Sequence, residues 1–411
     1  MSLSIIIPHF NGSHLVKTLL ACNVDTCFTN PGTSEIHFLA ALDANPKMRC
    51  ILGLQEGVVT GAADGYARMA GKPACTLLHC GPGLANGLSN LHNARKAQSP
   101  VVNIVGDHAT YHLQYDAPLT SDVEGTARPY SDWVKTVQSI NDIAFDGASA
   151  VAAAQTYPGN IATLILPADI AWDKAQKIVG PIKPQNPTAP SEKVILEAHS
   201  AIQSGQPTLI FCTGAALMDA NLKKLNRIAT ATGCQLLAQT SNKRIQRGFG
   251  RFDIERLAYP IEEAREQLRN FKHIILLGTK QPVSFFAYPN KESRLSPKTS
   301  NVITLATPKE DVEVAIDMLL DVLGNPKNFS EVVQKCSIAK PSGVLNENNI
   351  GAAIARHIPE NGIIADESIT TGRNFFATTY GSAPHDWLHV TGGAIGCGMP
   401  QATGAAIACP E

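Results

Sequence analysis

The sequence lacks any lysine- or arginine-rich run, and charge is scarce: 17% of the 411 residues are charged, 34 basic against 35 acidic. A general nucleic-acid binder needs a basic footprint, so that class is excluded. No stretch reaches the roughly 18 uninterrupted apolar residues of a membrane-spanning helix. The opening Met1-Ser2-Leu3-Ser4-Ile5-Ile6-Ile7-Pro8-His9 has no basic n-region, so no secretory signal is expected. Ten cysteines occur without CxxC pairs or regular spacing. In a chain this long they predict reduced thiols in a cytoplasmic protein, neither a disulfide frame nor a zinc site. No Gly-x-Ser-x-Gly elbow and no P-loop appear, which removes the commonest hydrolase and NTPase readings. His79-Cys80-Gly81-Pro82-Gly83 is not a dinucleotide fingerprint, because the third glycine arrives one position late, at Gly87.

What the chain does have is a repeated unit: a short apolar run, a Gly/Pro/Asn/Asp turn, then a longer segment of helical periodicity. The runs are 24–28, 50–54, 74–78, 101–105, 161–166, 208–212, 273–277, 302–305 and 362–365. Each has the length of a buried parallel strand, and the segments between them fit helical crossovers. The expected fold is α/β, with doubly wound parallel sheets. Residues 173–192 carry prolines at 181, 184, 187 and 190 and read as an extended linker; 325–348 is a second polar stretch. The expected domains are 1–175, 190–325 and 345–411, the last too short for a complete α/β domain.

The turn Asn30-Pro31-Gly32-Thr33-Ser34-Glu35 follows a strand, and Thr33 or Ser34 can cap the helix beyond it. A turn at the carboxyl end of a parallel strand is also where open sheets bind ligands. Glu56 opens the helix carrying Ala62-Ala63-Asp64-Gly65-Tyr66-Ala67-Arg68. Helix-dipole stabilisation alone accounts for a carboxylate there. Its small and apolar neighbours also favour the protonated form, which could trade a proton with a bound heterocycle. His79 ends a strand beside a glycine turn, which points to a ligand-facing role. His108 and His112 have the i, i+4 spacing of a helical metal pair but lack the HExxH glutamate and a third ligand, so no metal site is expected.

Together these stretches resemble thiamin-diphosphate enzymes of the acetolactate synthase, pyruvate oxidase and benzoylformate decarboxylase superfamily. The resemblance rests on Asn30 to Glu35, Gln55-Glu56-Gly57, Ala63 to Arg68, Gly81-Pro82-Gly83 through Asn86, Asn90 to Pro100, Asp366-Glu367-Ser368 and Gly393 to Pro400. It implies a pyrimidine-binding domain, a central domain and a diphosphate-binding domain, with two chains completing each site as a homodimer or homotetramer. It implies a small 2-oxo acid substrate, decarboxylated or ligated with the cofactor's thiazolium ring as electron sink.

Carried over by position, Glu56 matches the glutamate that hydrogen-bonds N1′ of the aminopyrimidine, and Gly393 the carbonyl that accepts from its 4′-amino group. Ile395 matches the apolar wedge that bends the cofactor. Pro31, Gly83, Asn86 and Glu367 match further cofactor-binding positions. His79 matches a catalytic histidine of benzoylformate decarboxylase, and Thr33 stands at its serine position. Where that enzyme has a second histidine, this chain has Ala287-Tyr288. Some relatives bind FAD in the central domain, where Thr213 to Ala216 and Gly278 to Lys280 form turns after strands; the same turns occur in central domains that bind nothing. The family holds Mg2+ and the diphosphate through a Gly-Asp-Gly motif, and none occurs in these 411 residues. The expectation is a diphosphate domain cut short, a chain without turnover, and weak or absent cofactor binding. The alternative is a non-catalytic binding or regulatory protein on the same fold.

Overall fold

The computed structural model describes residues 12–172 and 177–411. The opening segment Met1 to His9 and the expected boundary at 175 lie outside the described residues. The chain forms two compact units, one of residues 1–186 with 390–411 and the other of residues 187–389.

In the first unit, six strands form one parallel sheet: β1 (Thr26–Asn30), β2 (Arg49–Leu52), β3 (Ala74–His79), β4 (Val101–Asp107), β5 (Trp133–Thr136) and β6 (Ile161–Pro167). Their order is β2-β1-β3-β4-β6-β5, so the chain first winds to one side of β1 and then to the other. β4 and β6 are buried along their whole length, as their unbroken apolar runs require. Helices α1 (Gly12–Ala21) and α2 (Ile36–Asp43) cover one face, where Leu15, Leu19, Phe38, Leu77 and Ile104 pack together. Helices α3 (Glu56–Ala70) and α4 (Cys80–Lys96) cover the other, over Phe28, Val59, Leu78, Leu84 and Val105.

Small residues let α3 bury itself almost completely. Helix Gly398–Ala408 crosses it so closely that a β-carbon at Gly65 would stand 1.9 Å from the Gln401 carbonyl oxygen. Inside this crossing Arg68 donates through Nε and Nη2 to the two oxygens of Asp64, at 2.8 and 2.6 Å. Ser99 Oγ and Gln401 Nε2 donate to the same carboxylate, at 2.5 and 3.0 Å. Residues 398–408, expected to lie in a third domain, thus pack on the first sheet's helix layer.

The second unit has a parallel sheet of β7 (Thr208–Cys212), β8 (Gln235–Ala238), β10 (His273–Leu277) and β11 (Asn301–Ala306), in the order β11-β10-β7-β8. A smaller mixed sheet joins β12 (Gly362–Asp366) in parallel to β13 (His385–His389), which pairs antiparallel with β9 (Ile245–Arg247). β13 is wholly buried although its sequence, His-Asp-Trp-Leu-His, is mostly polar. Arg244 pairs with Asp386, and Trp387 Nε1 donates to Asp366, so tertiary partners satisfy these two side chains.

His385 is fully buried, and its Nδ1–H donates to the Ala383 carbonyl oxygen at 2.7 Å. Burial, helped by Arg247 and Arg251 nearby, lowers its pKa to about 4. The unfolded chain therefore takes up a proton near pH 6.5 that the folded chain refuses until about pH 4. Stability contributed above pH 6.5 is lost as the pH falls, by about 3 kcal/mol at pH 4. Urea midpoints between pH 7 and 4 should fall less steeply in His385→Gln; parallel slopes would remove His385 as the cause.

Candidate active site

The topological switch point of the six-stranded sheet lies between β1 and β3, where open α/β sheets form ligand crevices. The carboxyl ends of these strands carry Asn30-Pro31-Gly32-Thr33 and His79-Cys80. Asn30 Nδ2 donates to the Gly53 carbonyl oxygen at 2.8 Å, tying this turn to the β2–α3 connection. Thr33 to Glu35 form a 3-10 turn in which Glu35 Oε2 accepts from the Gly32 N–H at 2.8 Å. The same oxygen lies 2.8 Å from His79 Nδ1. Burial raises the pKa of Glu35, opposed by the Gly32 N–H and His79. With Glu35 ionised, Nδ1 carries the hydrogen and Nε2 is the basic nitrogen. His79 is about one-fifth exposed, so its ring is open to a ligand.

Gln55 caps α3, its side chain accepting from the Val58 N–H, and this sets Glu56 as the first helical residue. α3 is held on α4 by Thr60 Oγ1 donating to the Gly87 carbonyl oxygen and Asn90 Nδ2 to the Gly57 carbonyl oxygen. Asn86 Nδ2 can therefore donate to Glu56 Oε2, at 3.2 Å. Gly83 lies beneath both acid and imidazole: a β-carbon there would come within 3.3 Å of His79 Cβ and 3.5 Å of Glu56 Oε1. Glu56 is half-buried, but Leu54 and Val58 beside it are exposed. The expected apolar enclosure of Glu56 is thus not closed in this chain, because the helix starts at the rim of the sheet beyond the edge strand β2.

The structure brings together Glu56, Asn86, Gly83, His79, Pro31 and Thr33, the last exposed at its turn. Gly393, at φ 77°, and Ile395, exposed, belong to the same unit. Their loop docks further along α4: Asn93 Nδ2 donates to the Ala394 carbonyl oxygen at 2.7 Å, and the Ala394 N–H to Asn93 Oδ1. Seven residues separate Asn93 from Asn86, about 10 Å along the helix axis. Glu367 is half-buried after β12 in the other unit.

One participant escaped the sequence reading, Glu35 as partner of His79; the side chain three residues after Gly32 at a helix start was the available signal. His108 and His112 do not form a helical pair. They sit in the loop after β4, rings 5.6 Å apart. In the second unit, the turns after β7 and β10 are closed by Thr213 Oγ1 donating to Asn242 and Thr279 Oγ1 donating to Gln239, at 2.7 and 2.6 Å.

Residues 11–128 match the family described as thiamine pyrophosphate enzyme, N-terminal TPP binding domain. A Mycobacterium tuberculosis protein named "Putative acetolactate synthase large subunit IlvX" is 44% identical over 402 residues, covering 98% of this chain and 77% of that protein. Benzoylformate decarboxylase of Pseudomonas aeruginosa is 25% identical over 406 residues, 94% of this chain and 76% of that enzyme. The chain thus spans about three quarters of the length of these relatives. Among solved structures, the thiamine diphosphate-dependent 4-hydroxybenzoylformate decarboxylase of Rhodococcus jostii RHA1 superposes with a TM-score of 0.80 at 19% identity, over 98% of this chain and 79% of that one. With 44% identity to the first of these relatives over 98% of its own length, the chain belongs to the thiamin-diphosphate-dependent enzyme family.

Proposed function

We propose that the chain serves 2-oxo acid chemistry, decarboxylation or carboligation, and that it holds the aminopyrimidine end of thiamin diphosphate at Glu56. The observation carrying this reading is the Glu56–Asn86 contact over Gly83, with the Glu35-oriented His79 beside it. Thiamin diphosphate, when bound, supplies the electron sink for the 2-oxo acid. Glu56 holds and exchanges a proton at N1′ of the pyrimidine, and Asn86 fixes its rotamer. His79 Nε2 moves a proton at the substrate, and the Thr33 hydroxyl orients the substrate carboxylate. Gly393 and Ile395 complete the pyrimidine site of a second copy, in a homodimer or homotetramer. The exposed Leu52, Leu54, Ile395 and Met399 support that association.

The residues present fit the pyrimidine end of the cofactor. For Mg2+ and the diphosphate the Gly-Asp-Gly ligands are not among the 411 residues, so these residues alone hold the cofactor weakly and turn nothing over. The second reading is a non-catalytic binding or regulatory protein on this fold, which would tolerate the loss of Glu56 chemistry. A yellow purified protein would add FAD to the first reading; in the second unit the turn hydroxyls of Thr213 and Thr279 are engaged with amides. Among the described residues no helix is long and apolar enough to cross a membrane. A cytoplasmic setting is part of the same reading, on the irregular spacing of the ten cysteines.

Titration calorimetry with thiamin diphosphate and Mg2+ tests the reading, on this chain and on a version extended by the diphosphate-binding residues of a relative. Binding by the longer version alone is expected. Binding by neither would withdraw the roles given to Glu56, His79 and Thr33.

A further inference from the structure

Cys80 takes no part in the chemistry above, yet its setting is unusual. It joins β3 to α4 at φ 50°, a left-handed conformation that costs a side-chain-bearing residue roughly 1–2 kcal/mol. Among the described residues, five of the six other non-glycine residues at positive φ are Asn or Asp, which tolerate it better. The turn brings Cys80 Sγ to 3.4 Å from Ser34 Oγ, at the mouth of the β1 turn. There a carboxylate oxygen of Glu35, a ring nitrogen of His79 and Cys80 Sγ all lie within 4.8 Å of one another. Glu35 is 3% exposed and Cys80 fully buried, while His79 leaves a path to solvent. Glu35 Oε1 is buried without a hydrogen-bond partner.

We propose that Glu35, His79 and Cys80 form a binding site for Zn2+ or a cation of its class, with a fourth position open to water. One sulfur, one imidazole nitrogen and one carboxylate oxygen are the donor types that zinc takes in sites with three protein ligands. Zinc bond lengths of about 2.0–2.3 Å in a tetrahedron put ligand atoms roughly 3.3–3.7 Å apart. The 2.8 Å between His79 Nδ1 and Glu35 Oε2 and the 4.8 Å limit to Cys80 Sγ bracket that range. The ion replaces the proton shared by Nδ1 and Oε2 and displaces the thiol proton of Cys80. The Gly32 N–H already holds the carboxylate from behind, as outer partners of metal ligands do.

The electrostatics point the same way. Burial pushes the Cys80 thiol up to about 11, and the Glu35 and Asp107 carboxylates oppose its ionisation further. A dication reverses that balance, and binding releases protons. Because Nδ1 and the carboxylate that orients His79 are both consumed, an occupied site takes the imidazole out of any proton transfer. That last consequence rests on the role proposed for His79; the metal site does not.

The test is a Zn2+ and Co2+ titration of the purified chain without thiamin diphosphate, with the exposed thiols removed by Cys50→Ser and Cys336→Ser. One equivalent of cobalt with a thiolate charge-transfer band is expected, together with proton release. Cys80→Ser should abolish that band and weaken zinc by more than about 100-fold, since even the loss of an outer partner costs 10- to 100-fold. Glu35→Gln should weaken it similarly. Zinc affinity unchanged in Cys80→Ser, or binding lost instead in His108→Ala or His112→Ala, overturns the proposal. Should either ligand variant fail to fold, X-ray absorption of the parent zinc complex decides: one sulfur among the ligands is expected, and a shell of nitrogen and oxygen alone overturns it. Failure of zinc binding leaves the calorimetry on thiamin diphosphate untouched, so the two readings fall separately.

Discussion

Glu56→Gln should lower the turnover of the extended chain with thiamin diphosphate, Mg2+ and a 2-oxo acid by about 100- to 10,000-fold, the usual worth of a positioned proton-transfer group. The substitution keeps the shape of the side chain and an oxygen that can accept from Asn86, at present 3.2 Å from Glu56 Oε2. It removes the ability to hold and return a proton at N1′. Losing a carboxylate from the first turn of α3 costs only about 0.3–1 kcal/mol, so the fold should survive. Steady-state rates and thermal unfolding measured side by side separate the two effects. Turnover within a few-fold of the parent would assign the pyrimidine chemistry to another group.

The second large effect concerns stability. Asp64 and Arg68 are buried together, and Asp64 also accepts from Ser99 and Gln401. Asp64→Ala leaves a guanidinium in the interior with Thr391 Oγ1 as a remaining partner at 3.2 Å. Breaking one side of a buried pair costs about 3–5 kcal/mol, because the remaining charge keeps its desolvation penalty. Urea unfolding should show that loss. The double variant Asp64→Leu/Arg68→Met should recover most of it, since an apolar pair of similar volume removes both buried charges. A cost below 1 kcal/mol for Asp64→Ala would mean that the helix crossing at Gly65 holds without the ion pair. Because Gln401 and Thr391 belong to the segment carrying Gly393 and Ile395, Asp64→Ala should also loosen the docking of that segment on α4.

Long apolar runs were legible because a strand buried on both faces has no freedom to be polar. β3, β4, β6, β7 and β10 lie where the sequence put them, and the expected runs in their neighbours differ from the observed strands by one or two residues at the ends. β5, β8, β9 and β13 were not seen. Trp133-Val134-Lys135-Thr136 is half-buried and mixed in character, and β13 buries two histidines and an aspartate. Such a strand is stable only because Arg244 and Asn242 come to meet it from elsewhere in the chain, while the Ala383 carbonyl just before it accepts from His385.

The site divides in the same way. The glutamate that opens α3, the histidine that ends β3 and the turns around them are local features, each read from its position between a strand and a helix. Sequence by itself thus determined the α/β class, the strand-end address of the site and the residue types available there. Only the tertiary structure decided who faces whom. Strand order places β1 beside β3 although β2 lies between them in sequence, and this joins Glu35 to His79 and Cys80. The close crossing of α3 and helix Gly398–Ala408 likewise joins Asp64 to Gln401, 337 residues apart. Local propensity carries no information about such pairs, because their stabilisation arises only once water has been excluded from both partners at the same place.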